Sequence, residues 1–186
     1  MKNENKKEDK AAKELPNMNI SAKTPLKDIL KLAGSCNKCG NCCRYSSGFL
    51  VEGDIKNIAD FLGITEKELK EKFLEEGEKF NTKKLRPKII KKGKPYGECI
   101  FYQEKQGCTI HPAKPLHCKV GNCNEHGEAI HLWFTINHFV NKNDPESVRQ
   151  WATYLKTHPT IPGGNLEDLV PDKKLLNKIL NYEILR

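Results

Sequence analysis

Four cysteines fall within eight residues, in the run Ser35-Cys36-Asn37-Lys38-Cys39-Gly40-Asn41-Cys42-Cys43-Arg44. Thiolates at C-x-x-C spacing can turn onto one ion, at about 2.3 Å for zinc, while nearby backbone N–H groups hydrogen-bond the sulfurs. Cys36, Cys39 and Cys42 extend that spacing to three converging sulfurs. Cys43 is the complication. Side chains of adjacent residues diverge in most backbone conformations, so Cys42 and Cys43 need not serve the same ion. One of them can face a second metal, bridge two ions, or remain a free thiol.

The other four cysteines, Cys99, Cys108, Cys118 and Cys123, are widely spaced. Their value is that they are the only remaining thiols, so four local sulfurs can be completed by four distant ones. Eight thiolates satisfy two tetrahedral zinc sites, or a four-cysteine iron–sulfur cluster such as [4Fe–4S] with four left over. Ser46 stands where the bacterial ferredoxin run C-x2-C-x2-C-x3-C needs its fourth cysteine, so that cluster type is not expected. A reducing compartment favours metal over disulfides, although paired disulfides remain the competing use of an even cysteine count.

His111 and His117 flank candidate ligands and leave open a mixed nitrogen–sulfur site; His126, His131, His138 and His158 have no ligand spacing among themselves. No Ser-His-Asp arrangement, carboxylate pair or P-loop stands out. Cys43 beside Arg44 offers a nucleophile only if its thiol is acidified. The catalytic residues, if any exist, are unknown at this level.

The segment Cys36-x-x-Cys39-x-x-Cys42-Cys43, followed by Cys108-x-Ile110-His111-x-x-Lys114-Pro115-x-x-Cys118, resembles the YkgJ-type cysteine-cluster family, over roughly residues 34–123. The resemblance implies a zinc- or iron-chelating domain, with Cys99, Cys108 and Cys118 sharing in the ligand set. Members of that family usually carry Tyr and Arg where this chain has His111 and Lys114. Those departures leave the thiols intact and touch only a role the arginine would carry. Flagellin lysine N-methylase is similar in its cysteine cluster but longer. No glycine-rich S-adenosylmethionine loop is present here, so its activity does not carry over.

Short elements must position these thiols. Thr24 and Pro25 predict the start of a helix that Gly34 ends, delivering the chain into a compact cysteine loop. Phe49–Val51 suggests a brief strand or a packing contact. Gly53-Asp54 opens a helix, and Thr65 with Glu68 is a capping-box pattern for another that runs to about Glu76. Residues 81–97 predict a hairpin or ordered loop with a strand near Leu85 to Ile90. Pro112 and Pro115 predict an extended approach to Cys118, and Tyr96, Phe101 and Tyr102 an apolar shell around the centre. Residues 131–140 predict a strand or helix, 145–157 a helix with Val148, Trp151, Ala152 and Leu155 facing the core, and 166–185 a further helix.

The chain of 186 residues carries a formal charge of +8 with a mean hydropathy of -0.68. The expected organisation is a disordered basic tail over 1–20 and one domain over 21–186, with the cysteine region at 34–123 and a C-terminal helical region at 131–186. The expected fold is mainly α with short strands and ordered loops around a cysteine-ligated metal centre. No apolar run approaches the ~20 residues of a membrane span and no secretory apolar segment begins the chain, which predicts a cytoplasmic protein. The lysines alternate with glutamates as solvated helix faces do, so nucleic-acid binding is only weakly supported. Lys38, Arg44, Lys114 and Lys119 would offset thiolate charge, and an unidentified protein is the expected partner. The function expected is metal binding with an accessory, redox or metal-handling role. An iron–sulfur enzyme acting on a macromolecule and a zinc-stabilised interaction module are the alternatives.

Overall fold

Pro25, with ψ of 143°, sets the entry to α1, Leu26–Ala33, whose Ile29 and Ala33 are buried, and Gly34 at φ 64° ends it. The structure, a computed structural model, describes residues 20–121 and 123–185. The disordered tail expected over 1–20 therefore falls outside the described residues except for Ile20, which is buried in the core.

A single turn of helix, α2, Asn41–Tyr45, interrupts the cysteine segment that was expected to be all loop. Of the brief strand or packing contact expected at Phe49–Val51, the structure has the packing contact, with Leu50 buried and its N–H donating to the Leu85 carbonyl at 2.8 Å. Helix α3, Asp54–Leu62, runs between Gly53 and Gly63, both left-handed, and buries Ile58 and Ala59. Helix α4, Glu66–Phe73, starts where Thr65 Oγ1 accepts from the Glu68 N–H at 3.1 Å.

The expected run of α4 to Glu76 stops early. Residues from Leu74 pair into β1, Leu74–Lys79, antiparallel to β2, Thr82–Pro87, with Leu74 opposite Pro87 and Lys79 opposite Thr82. Phe80 and Asn81 both take positive φ, the two-residue turn whose twist matches a hairpin. At Gly77 a Cβ would stand 2.7 Å from the Phe49 ring, so a position without a side chain lets that ring lie on the hairpin.

Two further pairs carry cysteines. Strand β3, Ile89–Ile90, pairs with β4, Glu98–Cys99; β5, Tyr102–Gln103, pairs with β6, Gly107–Cys108. A 3-10 turn at His111–Ala113 and the short helix α5, Leu116–Val120, follow. Pro112 thus sits in a turn rather than in extended chain, while Pro115, at ψ 154°, is extended as expected.

Helix α6, Gly127–His138, is buried on nearly every side, from Ala129 through Ile136, so it forms the centre of the molecule rather than one wall. Helix α7, Pro145–Leu155, is capped by Asp144, and its Val148 and Trp151 are fully buried. The single helix expected over 166–185 is two, α8, Leu166–Leu169, and α9, Lys173–Leu180. Pro171 separates them, since its ring cannot continue α8, and Asp172 caps α9 by accepting from Lys174 and Leu175 N–H.

The fold is mainly helical with short strands. One apolar core gathers α1, α6 and α7; a second lies under α3, α4 and the small strands and includes Cys99. The segment around Phe49 and Leu50 joins them, Phe49 packing on the first and Leu50 on the second. Among the described residues no helix is long and apolar enough to cross a membrane.

Candidate metal centre

The cysteine loop folds back on the second cysteine stretch because two glycines permit it. Gly40 is left-handed, at φ 75°, and opens α2; a Cβ on it would stand 2.6 Å from the Tyr102 ring. Gly48 lies so close to α5 that a Cβ would stand 2.3 Å from Cys118 Sγ. Helix α2 packs on β4, the Gly97 N–H reaches the Tyr45 carbonyl at 3.4 Å, and the Arg44 guanidinium lies 5.6 Å from the Tyr102 ring centre.

A buried carboxylate fixes the register. Asp54 accepts from Val51 N–H at 2.9 Å and from Leu116 N–H at 3.2 and 3.1 Å to its two oxygens. It therefore ties the exit of the first cysteine segment to the turn leading into Cys118. A charge this well buried is tolerable because its oxygens are hydrogen-bonded. Asp54 was legible only as a helix start after Gly53; the bond to a residue 62 positions away carries no local signal. Gly40 was legible as a turn former, but Gly48 was missed, since nothing in sequence shows what a glycine must let approach.

All eight cysteines are free thiols. Cys36, Cys42, Cys43, Cys99, Cys108 and Cys118 are electrostatic neighbours: Cys108 senses Cys36 and Cys42, Cys99 senses Cys108 and Cys42, and Cys43 senses Cys42, Cys108 and Cys118. The two distant stretches thus meet. Cys39 and Cys123 are exposed, and no hydrogen bond ties either sulfur into the group among the described residues.

Backbone donors face several of the sulfurs. The Lys38 N–H donates to Cys36 Sγ at 3.4 Å, and the backbone at Phe101, Ile110 and Gly48 favours the thiolate at Cys99, Cys108 and Cys118. Such donors lower the energy of a thiolate. Burial works against them: it pushes the Cys99 thiol up to about 11 and that of Cys118 up to about 12, and it raises Cys108. Neither Cys99 nor Cys118 ionises at neutral pH unless a cation compensates. The Cys42 and Cys43 sulfurs stand 3.8 Å apart and either can donate to the other; this contact holds Cys42 down at about 6, with Lys114 adding to the effect, and raises Cys43.

Among the described residues no three Cys, His, Asp or Glu side chains are drawn together closely enough to hold an ion as they stand. The donors nonetheless fit a soft cation in kind: sulfurs from two stretches, N–H groups aimed at them, and glycines that keep the space between open.

The two flanking histidines differ. His117 Nδ1 accepts from the Phe49 N–H at 3.1 Å and its ring stacks on Phe134 at 4.2 Å, so it packs against the first core. Burial holds its pKa down to about 3, keeping it neutral. His111 Nε2 is buried and has no hydrogen-bond partner among the described residues, which leaves a ring nitrogen available three residues from Cys108. The apolar shell expected of three aromatics holds for Phe101, which is buried, and for the half-buried Tyr102. It fails for Tyr96, which is 45% exposed at the tip between β3 and β4, where its ring meets the exposed Tyr45 and the Lys94 ammonium.

A family model, CxxCxxCC, described as "Putative zinc- or iron-chelating domain", matches residues 35–144. No curated protein and no solved structure matches the chain.

Proposed function

Because the chain belongs to the CxxCxxCC family, we propose that it binds zinc or iron through thiolates of both cysteine stretches and serves in metal handling rather than in catalysis of its own. Cys36, Cys42, Cys43, Cys99, Cys108 and Cys118 are the proposed donors, with Cys39 and Cys123 at the periphery. When bound, such a cation supplies the positive charge that lets buried thiols ionise. The observation that supports this reading is the packing of α2 and Gly48 on β4 and α5, which makes neighbours of sulfurs 57 to 76 residues apart in sequence (Cys42 to Cys99, Cys42 to Cys118).

Accessibility supports handling over a closed structural site. Cys42 is exposed while Cys99 is buried, so the donor group runs from the core to the surface and an ion there can exchange with solvent or with a partner. The proposal places the protein in the cytoplasm, where thiols stay reduced.

Elemental analysis and anaerobic absorption spectra of untagged protein test the proposal. Stoichiometric zinc in a colourless protein, or iron with broad visible absorbance that bleaches on reduction, is the expected result and selects the metal. A chain that retains neither after purification and takes up neither from solution overturns it.

A further inference from the structure

Between Lys79 and Gly97 the chain carries eight basic residues and no acidic one. Neighbours engage most of them. Lys83 and Arg86 pair with Glu76 and Glu75 across the hairpin of β1 and β2, Lys92 pairs with Glu98, and Lys88 Nζ donates to the Glu71 and Lys72 carbonyls at the end of α4. Lys79 reaches His131 Nε2 at 3.3 Å, and the Lys84 ammonium lies over the Phe139 ring. Lys91 and Lys94 have no carboxylate partner among the described residues. Both stand in one tight turn: Lys92 and Gly93 take φ of 46° and 80°, and the Lys94 N–H donates to the Lys91 carbonyl at 2.9 Å. Gly97 then returns the chain over Ile90, where a Cβ would collide with the Ile90 carbonyl, and Tyr96 comes to lie beside Tyr45 at the end of α2. The two ring centres, 51 residues apart in sequence, are 5.6 Å apart at an interplanar angle of 59°. Tyr96 is 45% exposed and Tyr45 55%. The Lys94 ammonium lies 5.6 Å from the Tyr96 ring centre.

Rings open to solvent, with unpaired cations beside them, suit a polyanion that also carries flat apolar faces. Nucleic acid with unpaired bases is such a ligand, since its bases stack on the rings while its phosphates take the ammonium groups. A duplex keeps its bases stacked inside and offers the lysines phosphates alone. An acidic protein is the poorer match, because protein interfaces are depleted of lysine whereas nucleic-acid interfaces are much more positive. We propose that the turn between β3 and β4, together with the end of α2, binds single-stranded nucleic acid, Tyr45 and Tyr96 stacking on bases and Lys91 and Lys94 contacting phosphates. Arg44 is not part of the contact, since its guanidinium faces Tyr102. The surface includes none of the cysteines and stands apart from the metal-binding reading.

Fluorescence anisotropy of labelled oligo(U) and oligo(dT) titrated with the full chain tests this. Two phosphate contacts predict an affinity that falls roughly 7-fold between ~50 and ~200 mM salt. Binding of either strand with that dependence supports the proposal, and the tighter of the two identifies RNA or DNA as the source of the ligand. Tyr96→Ala should weaken binding by about 5-fold or more with the salt dependence unchanged, and Tyr96→Phe should bind as the wild type does, because stacking uses the ring. Lys91→Ala combined with Lys94→Ala should weaken binding and remove most of the salt dependence. Lys56→Ala combined with Lys67→Ala, which takes the same charge from the exposed faces of α3 and α4, should leave binding near wild type. Every substituted side chain is exposed, so thermal midpoints should match the wild type and a loss of binding is read at the surface itself. No binding of either strand, equal binding of duplex DNA or of polyglutamate, or equal losses in the two lysine pairs overturns the proposal. Metal uptake is measured separately and is untouched by any of these results.

Discussion

At the scale of single residues, neighbours set the chemistry more than side-chain type does. His138 shows this away from the sulfurs. Its ring lies 4.6 Å from Phe134 and 5.9 Å from Trp133, its Nε2 is buried without a hydrogen-bond partner among the described residues, and burial first, then Lys84, lowers its pKa. A histidine whose folded pKa is lowered contributes stability above its ordinary value of 6.5, and that contribution is lost as the pH falls below it, because the unfolded chain takes up the proton first. His138→Phe should therefore flatten the fall in thermal midpoint below pH 6.5 relative to wild type, read by calorimetry between pH 4 and 8. An unchanged acid arm would show that other groups carry it. The candidate donors were legible at this scale because a cysteine announces itself by type. The constraints around them were not, since Gly48 matters only for the absence of a Cβ beside Cys118.

At the scale of elements, local grammar predicted starts and stops well and long-range ties poorly. Gly34, Gly53, Gly63 and Thr65 mark helix boundaries where the sequence places them, since caps and left-handed glycines act within a few residues. The early end of α4 and the division of α8 from α9 were missed for different reasons. The first follows from the pairing of Leu74–Lys79 with β2, a tertiary contact; the second is a local signal, Pro171, whose ring cannot continue α8. Asp54 is the tie with most leverage, joining the chain after α2 to the start of α5. Asp54→Ala leaves the Val51 and Leu116 N–H groups without their acceptor and should cost about 2–4 kcal/mol in denaturant unfolding. It should also weaken zinc uptake, because Cys118 is no longer registered against the first cysteine segment. Asp54→Asn retains an acceptor oxygen and should lose less of both. Equal losses in the two variants would show that the charge, not the hydrogen-bonding register, is what matters.

For the whole molecule, two of the three apolar clusters among the described residues differ in character and share a seam, and the third lies between α7, α8 and α9. The core of α6 and α7 is built from large apolar residues including Trp151 and Phe134, with no cysteine in it, whereas the other contains Cys99 and packs against Cys43 and Cys108. Metal should therefore stabilise unequally. Zinc at ~100 times its dissociation constant should raise global stability by about 2.7 kcal/mol. In hydrogen exchange the gain from local opening should fall on residues 36–48 and 97–120, with α7 and α9 nearly unchanged below the global limit. Uniform protection would mean that the cores open as one unit. The pairing of sequence-distant sulfurs has a further consequence during synthesis. At ~5–20 residues per second, the ribosome needs about 4–15 s to extend the chain by the 75 residues from Cys43 to Cys118. For that interval the nascent chain displays its first four thiols without Gly48's partner or the acceptor-bound Leu116, so oxidants and competing ions meet an open half-site. The window in which this protein is most easily mismetallated is set by translation speed, not by the affinity of the finished fold.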